Sequence, residues 1–366
     1  MFWDGKCVFV TGHTGFKGSW LSLWLQRLGA KVTGYSLEPP TEPNLFGVAR
    51  IAAGMNSIQG DVRDFAGLQA AMTAARPEIV FHLAAQSLVR RSYELPLETY
   101  TTNVIGTANL LQAVRAADTV RAVVAIATDK CYDNREWDWA YREIDRLGGC
   151  DPYSSSKACA EFVVSAYRSS FFPPQRYADH RVSIASARAG NVIGGGDWAR
   201  DRLVPDIVRA LSGGRRVKIR NPQSTRPWQH VLEPLRGYLI LAERLYEHGA
   251  QYGDAWNFGP EYSDLQPVEW VVRRLAELWG PEAQWEADSG EHPHEAQMLR
   301  VDWSKAAARL GWRPLLRLSE ALEMTVAWYK AWTQQKDMRT ITTQQIEYYG
   351  NVADSRQRAA VAGVGE

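Results

Sequence analysis

"VFVTGHTGFKGSWLSLWL", residues 8–25, passes from an apolar run through three glycines into apolar residues at three- and four-residue spacing. The apolar run has no polar side, as expected of a strand covered on both faces. The stretch beyond the first glycines has the period of a helix. Gly12, Gly15 and Gly18 fall at three-residue steps across the junction. Glycines so placed permit a tight turn, close backbone approach to a pyrophosphate and close packing of helix on strand. The helix N-terminus adds unpaired N–H groups and a partial positive charge. A lone triplet is compatible with a plain strand-to-helix turn, but a strand before, a helix after and a place in the first unit favour a dinucleotide cradle.

The first half continues this alternation. Strands are predicted at 6–10, 31–35, 55–59, 79–83, 122–127 and 182–187, and helices at 17–28, 65–75, 97–116 and 153–169. This is the signature of an α/β fold of the Rossmann type, a doubly wound parallel sheet. After residue 188 the pattern turns to glycine-rich loops and separate helices, which predicts a smaller C-terminal α/β substrate lobe. The expected division is 1–188 for the dinucleotide-binding domain, completed by about 231–258, with 189–230 and 259–350 as the substrate lobe. Residues 351–366 are expected to fray.

Composition narrows the class of function. The chain has 366 residues, 45% hydrophobic and 23% charged, with a net charge of +1. That balance provides no footprint for nucleic acid, so an acidic ligand must be met by a few placed residues. Four cysteines form no CxxC pair and no metal spacing, which fits reduced thiols in a cytoplasm and no metal site. The N-terminus lacks a signal-peptide layout, and nowhere do roughly 18 apolar residues run together, so no membrane span is expected. "REWDWAY" and "GGGDWARD" place tryptophans among polar loop residues, where aromatic rings often line ligands.

At the adenosine end the usual ribose-binding carboxylate is missing from "VTGYSLEPP", which offers Ser36 and a late Glu38. His13 and Lys17 are then candidates to meet an extra phosphate, which leaves NAD and NADP both open. Asp61 in "QGDVRD", followed by Val62, is either the partner of the adenine amino group or a helix N-cap.

"DPYSSSKACAEFVVSAY" places Tyr153 and Lys157 on one helical face. A tyrosine near pKa 10 is a poor base at neutral pH. A lysine ammonium and an oxidised nicotinamide nearby would stabilise its phenolate. Such a pair is ordinary helix surface by itself, and its weight comes from the glycine cradle, "FHLAAQS", "TTNVIGTANLL" and "ATDK" standing before it in this order.

Those five motifs, over residues 6 to about 313, resemble the extended short-chain dehydrogenase/reductase family that works on nucleotide-sugars. The resemblance implies an enzyme with Thr128 bonding a substrate hydroxyl, Tyr153 as base, and Lys157 also holding the nicotinamide ribose. It places Phe16, Leu83, Ala84 and Ala85 along the cofactor, Asn103 as a structural or cofactor-side residue, and Gln86 and Ser87 toward the substrate. It also implies a homodimer, or dimer of dimers, through the helices at 97–116 and 153–169.

The reaction is read from Asp129 and Lys130. An epimerase or 4-reductase of this family needs only Thr, Tyr and Lys near the sugar and leaves both idle. A non-catalytic cofactor sensor would be free to lose Thr128, Tyr153 or Lys157, and all three are present. In the nucleotide-sugar 4,6-dehydratases an Asp follows this threonine and a Glu follows the Asp, and the pair eliminates water across C5 and C6. Lysine replaces the glutamate here. With "GHTGFKG", "NVIGGGDW", "STRPWQHVLEPL" and "PHEAQ", it resembles the branch whose substrates carry cytidine diphosphate. The cycle is redox-neutral, which implies NAD recycled in each turnover, in deoxysugar biosynthesis. Either residue of the pair can be the acid. Asp129 fits that role by resemblance, and Lys130 fits it without an unusual pKa.

A nucleotide diphosphate is expected at "SARAGNVIGGGDWARDRLVP", where a glycine run accompanies Arg188, Asn191, Trp198 and Arg202. By resemblance Asn191 contacts the diphosphate and Arg226 clamps it, though Arg226 also suits an ion pair between lobes. Asn257 and His294 are expected to close over the nucleotide.

Overall fold

The computed structural model describes residues 1–281, 283–288 and 298–362, with side chains to residue 356. Its centre is a seven-stranded parallel sheet of β1 (Cys7–Thr11), β2 (Lys31–Ser36), β3 (Asn56–Gln59), β4 (Ile79–His82), β5 (Ala122–Ile126), β6 (Ser183–Ala189) and β7 (Ala255–Phe258). In space the order is β3-β2-β1-β4-β5-β6-β7. The first unit thus lies mid-sheet, and the direction of winding reverses between β1 and β4, where doubly wound sheets open a ligand crevice.

Side chains alternate between two cores along each strand. Val8, Val10, Phe81, Val124 and Ala185 join one core, while Phe9, Val80, Val123 and Ile184 join the other. Each buried valine or phenylalanine adds about 1.5–3 kcal/mol. Helices α1 (Phe16–Arg27), α2 (Phe65–Ala75), α3 (Gly106–Ala116) and α4 (Pro152–Ser170) connect these strands. The helix predicted at 97–116 is continuous but not uniform. Pro96–Tyr100 leads into a π turn, Thr101–Ile105, before α3 begins.

Beyond β6 come α5 (Leu203–Ser212), α6 (Leu232–His248), α7 (Val268–Trp279) and α8 (Leu318–Thr333), with short strand pairs such as Val192–Ile193 on Gln229–His230. Of the residues expected to fray, 351–362 lie in α9 (Met338–Ala362), where Val352 and Ala353 pack on the core. This helix returns to the first, with Tyr349 edge-on to Trp24 and Arg27 paired to Glu347. Among the described residues no helix is long and apolar enough to cross a membrane.

Glu233 fastens α9 to α6. One carboxylate oxygen accepts the N–H groups of Leu315 at 2.8 Å and Leu316 at 2.6 Å, and the other accepts the Tyr349 hydroxyl at 2.7 Å. Burial nevertheless pushes its carboxyl up from 4.5 to about 7. The folded chain therefore holds this proton more tightly than the unfolded one. The resulting stability is full below about pH 4.5 and falls, by on the order of 3 kcal/mol, as pH rises toward 7. Thermal unfolding across that window should show a shallower slope for Glu233→Gln than for the wild type, and equal slopes would refute this.

Candidate active site

The cradle is built as its glycines require. Gly12 has φ +74°, and a Cβ there would lie 2.7 Å from the Ala84 nitrogen. Leu83 donates its N–H to the Thr11 carbonyl and Ala84 donates to the Thr11 hydroxyl, so the loop after β4 is sewn to the turn after β1. Phe16 opens α1, and Thr14 bonds Ser36 at 2.8 Å.

The two cations considered for an extra phosphate both have partners within the protein. His13 is fully buried against Gly34, bonds Ser57 at 2.7 Å and is lowered to about 4 by desolvation, so it is neutral. Lys17 reaches the opposite way, with Nζ 3.5 Å from the Tyr238 hydroxyl. Burial lowers it to about 7, and the charges of Arg202, Lys157 and Asp129 act on it, which places it among the reactive groups. Asp61 binds Arg63 through its main-chain N–H and guanidinium, while Val62 is core. The helix N-cap is Asp64.

Asn103 takes the structural of its two expected roles. The π turn aims it inward, where it accepts from the Gln86 N–H and donates to the Gln86 carbonyl and the Ser156 hydroxyl. Gln86, expected at the substrate, has its side chain engaged by Leu88 and Thr99. Ser87 is exposed, and Arg202 donates to its hydroxyl at 2.9 Å. Arg202 also pairs with Asp197, and its charge is felt by Tyr153.

The stretch after β5 leaves the strand at Thr128 and forms a short 3-10 turn, Asp129–Cys131, capped by the Thr128 hydroxyl. Neighbouring side chains on a strand point to opposite faces, whereas a turn does not impose that alternation. Asp129 is 1% exposed, with one oxygen bonded by the Thr128 hydroxyl at 3.0 Å and the other without a partner. Desolvation raises its pKa. An orphaned buried carboxylate oxygen is costly unless a proton or a ligand answers it.

Helix α4 presents Tyr153, Lys157 and Glu161 at successive turns of one face. Its N-cap Asp151 accepts from the Ser154 N–H at 2.9 Å, and Lys157 donates to the Ile126 carbonyl at 2.8 Å, docking the helix on the end of β5. Burial pushes Tyr153 up to about 12, with a Thr128 hydrogen bond opposing it, and lowers Lys157 to about 8.

Three residues expected at the nucleotide are structural instead. Arg188 is 3% exposed and bonded at both carboxylate oxygens of Glu161. Asn257 is buried, accepting from the Tyr132 hydroxyl and donating to the Tyr141 carbonyl. Trp198 packs edge-on against Trp328, Tyr329 and Trp332. Asn191 is half-buried, and Arg226, 8% exposed, acts on Asp129. His294 lies outside the described residues. The residues that sequence reasoning missed are Glu161 and Tyr132. Glu161 was visible as a carboxylate one turn beyond Lys157, while Tyr132 carried no signal.

Comparison with known proteins agrees with this geometry. The family model described as GDP-mannose 4,6 dehydratase matches residues 9–325. The chain is 56% identical over 348 residues to a CDP-glucose 4,6-dehydratase of Salmonella typhimurium, covering 95% of this chain and 97% of that one. It is 30% identical to a dTDP-glucose 4,6-dehydratase of Neisseria gonorrhoeae, over 88% of this chain and 95% of that one. Among solved structures, DesIV, a dTDP-glucose 4,6-dehydratase from Streptomyces venezuelae with NAD and TYD bound, superposes with a TM-score of 0.74 at 24% identity, covering 91% of this chain and 99% of that one. With the cradle, the Tyr153/Lys157 helix and the Asp129 turn in one crevice, the chain belongs to the GDP-mannose 4,6 dehydratase family, within the extended short-chain dehydrogenase/reductases.

Proposed function

We propose that the protein is an NAD-dependent hydro-lyase, a nucleotide-sugar 4,6-dehydratase that converts CDP-glucose to CDP-4-keto-6-deoxyglucose. The observation that carries this reading is the buried Asp129 oxygen without a partner, in the turn that also carries Lys130 and in a crevice shared with Tyr153 and Lys157. The relative named for that reaction, at 56% identity, supports the choice of substrate.

The cradle fits NAD. Gly12 and Gly18 sit where any Cβ would strike backbone, the Ser36 hydroxyl ends β2, and His13 and Lys17 are turned away from an added phosphate. Bound in this cradle, NAD would supply a hydride acceptor for C4 of the sugar and a hydride donor for C6. Tyr153 receives the O4 proton, which its high pKa permits only when positive charge is brought beside it. Lys157, held at the Ile126 carbonyl, steadies the phenolate.

The C4 ketone makes the C5 proton acidic, and Lys130 takes that proton. Asp129, whose burial favours the protonated form, passes its proton to the C6 hydroxyl, which leaves as water. The proton on Lys130 goes back to C5 as C6 is reduced, and the proton on Tyr153 restores Asp129. Atoms and charge then balance, with one water lost.

Residues 189–230 and 259–350 form the lobe that receives the nucleotide, with Arg226, Asn191 and Arg202 toward the diphosphate. Exposed Leu97, Ile105 and Phe162 support pairing of two copies, and the enzyme works in the cytoplasm. Incubation with CDP-glucose deuterated at C4 tests the reaction. Label at C6 of a dehydrated product is expected, and label retained at C4 would point to an epimerase instead.

A further inference from the structure

The proposed reaction, on which this inference rests, needs two sets of groups to address one sugar. Oxidation at C4 uses Tyr153 and Lys157 on α4, whereas elimination across C5 and C6 uses Asp129 and Lys130 on the turn after β5. Between them the chain makes a long excursion over residues 132–151, with Trp139 71% exposed and Ile144 83% exposed. The covalent connection does not fix the distance between the two sets.

A buried polar junction does. Arg188, on β6 beside β5, donates from Nε to one oxygen of Glu161 at 3.0 Å and from Nη2 to the other at 2.8 Å. Its Nη1 donates to the Tyr132 hydroxyl at 2.9 Å and to the Glu143 carbonyl at 3.2 Å, and the guanidinium lies over the Tyr132 ring. The Tyr132 hydroxyl passes its own proton to Asn257 Oδ1 at 2.8 Å, and Ser186 donates to Glu161 at 2.8 Å. Arg188, Glu161, Tyr132 and Asn257 are each at most 5% exposed. Glu161 stands one turn beyond Lys157, and Tyr132 follows the turn that carries Asp129 and Lys130. One planar guanidinium therefore holds both catalytic elements, and its forked donors fix directions that a lysine would not. A buried ion pair is a poor source of stability compared with apolar packing, so the arrangement is better accounted for by the geometry it imposes.

We propose that Arg188 and Tyr132 are positioning residues that hold the elimination pair at a set distance from the oxidation pair. Tyr132→Phe tests this, because it leaves the Arg188–Glu161 pair and the ring packing in place and removes only the hydroxyl that bonds Arg188 and Asn257. With CDP-glucose, C4 oxidation, followed as reduced-nicotinamide absorbance, should stay within about twofold of the wild type. Exchange of the C5 proton with deuterated water, and formation of dehydrated product, should fall about tenfold or more. NAD affinity, measured in parallel, should change little, while the melting temperature should fall by a few degrees with the loss of two buried hydrogen bonds. Arg188→Met should depress both steps. Equal loss of oxidation and elimination in Tyr132→Phe, or loss of neither, would overturn the proposal. Failure of C4 label to reach C6 in the wild type would instead overturn the dehydratase reading beneath it.

Discussion

Lys130→Met is expected to stop the enzyme halfway. Mixed with CDP-glucose, the variant should still develop reduced-nicotinamide absorbance, because Tyr153, Lys157 and the cradle are untouched. Dehydrated product should fall by about 10²–10⁴-fold, the range typical for removing a positioned acid or base. Methionine is a sparing replacement: it is unbranched and flexible, and the anchor of the turn, the Lys130 N–H to the Thr128 hydroxyl at 3.3 Å, involves main chain that the substitution keeps. Single-turnover absorbance with product analysis checks both halves. Normal turnover would remove Lys130 from the chemistry. Absence of both signals would point to loss of the fold or of substrate binding.

Gly18→Ala should act at the other end of the crevice. A Cβ at Gly18 would lie 2.0 Å from the Gly12 carbonyl oxygen and 2.8 Å from the His13 Cα, both main-chain atoms with no flexible end to swing aside. The turn cannot relax freely, since Ser19 is bonded to the Gly15 and His13 carbonyls on either side. The turn must open, and NAD affinity should fall by about 100-fold or more, roughly 2.7 kcal/mol, by calorimetric titration. Gly350→Ala, where a Cβ meets nothing within 4 Å, is the control and should titrate as the wild type does. Unchanged affinity in Gly18→Ala would mean that this turn does not cradle the cofactor.

These outcomes depend on parts of the molecule that differ in how far the sequence discloses them. Glycine spacing and unbroken apolar runs locate β1 and α1 because those patterns have few other uses, and 65–75 is helical from end to end as its period predicts. The π turn at Thr101–Ile105 escapes any periodic reading, since one added residue per turn changes the spacing too little to register, yet it aims Asn103. Strands of two residues, such as Thr225–Arg226, have no period at all. Within the site, residue type led to Thr128, Asp129, Tyr153 and Lys157, which the structure brings together. It misdirected at Arg188 and Asn257, which have the donors a nucleotide would want but point into the protein. Both lie on strands buried along their whole length, where no alternation of polar and apolar residues tells which way a side chain faces. Burial by itself makes Tyr153 harder to ionise than free tyrosine, because desolvation outweighs the Thr128 hydrogen bond and the Arg202 charge.

The return of α9 to α1 affects how the molecule is made. Trp24 and Arg27 emerge from the ribosome long before their partners Tyr349 and Glu347, with 320 residues separating Arg27 from Glu347. β6 likewise waits for β7, at Ala255–Phe258, before its outer edge is covered. An uncovered edge and an exposed apolar helix face must therefore persist through much of synthesis, the condition under which long-range folds are slow and most open to aggregation. Nascent chains of this protein should need shelter until β7 and α9 have been made.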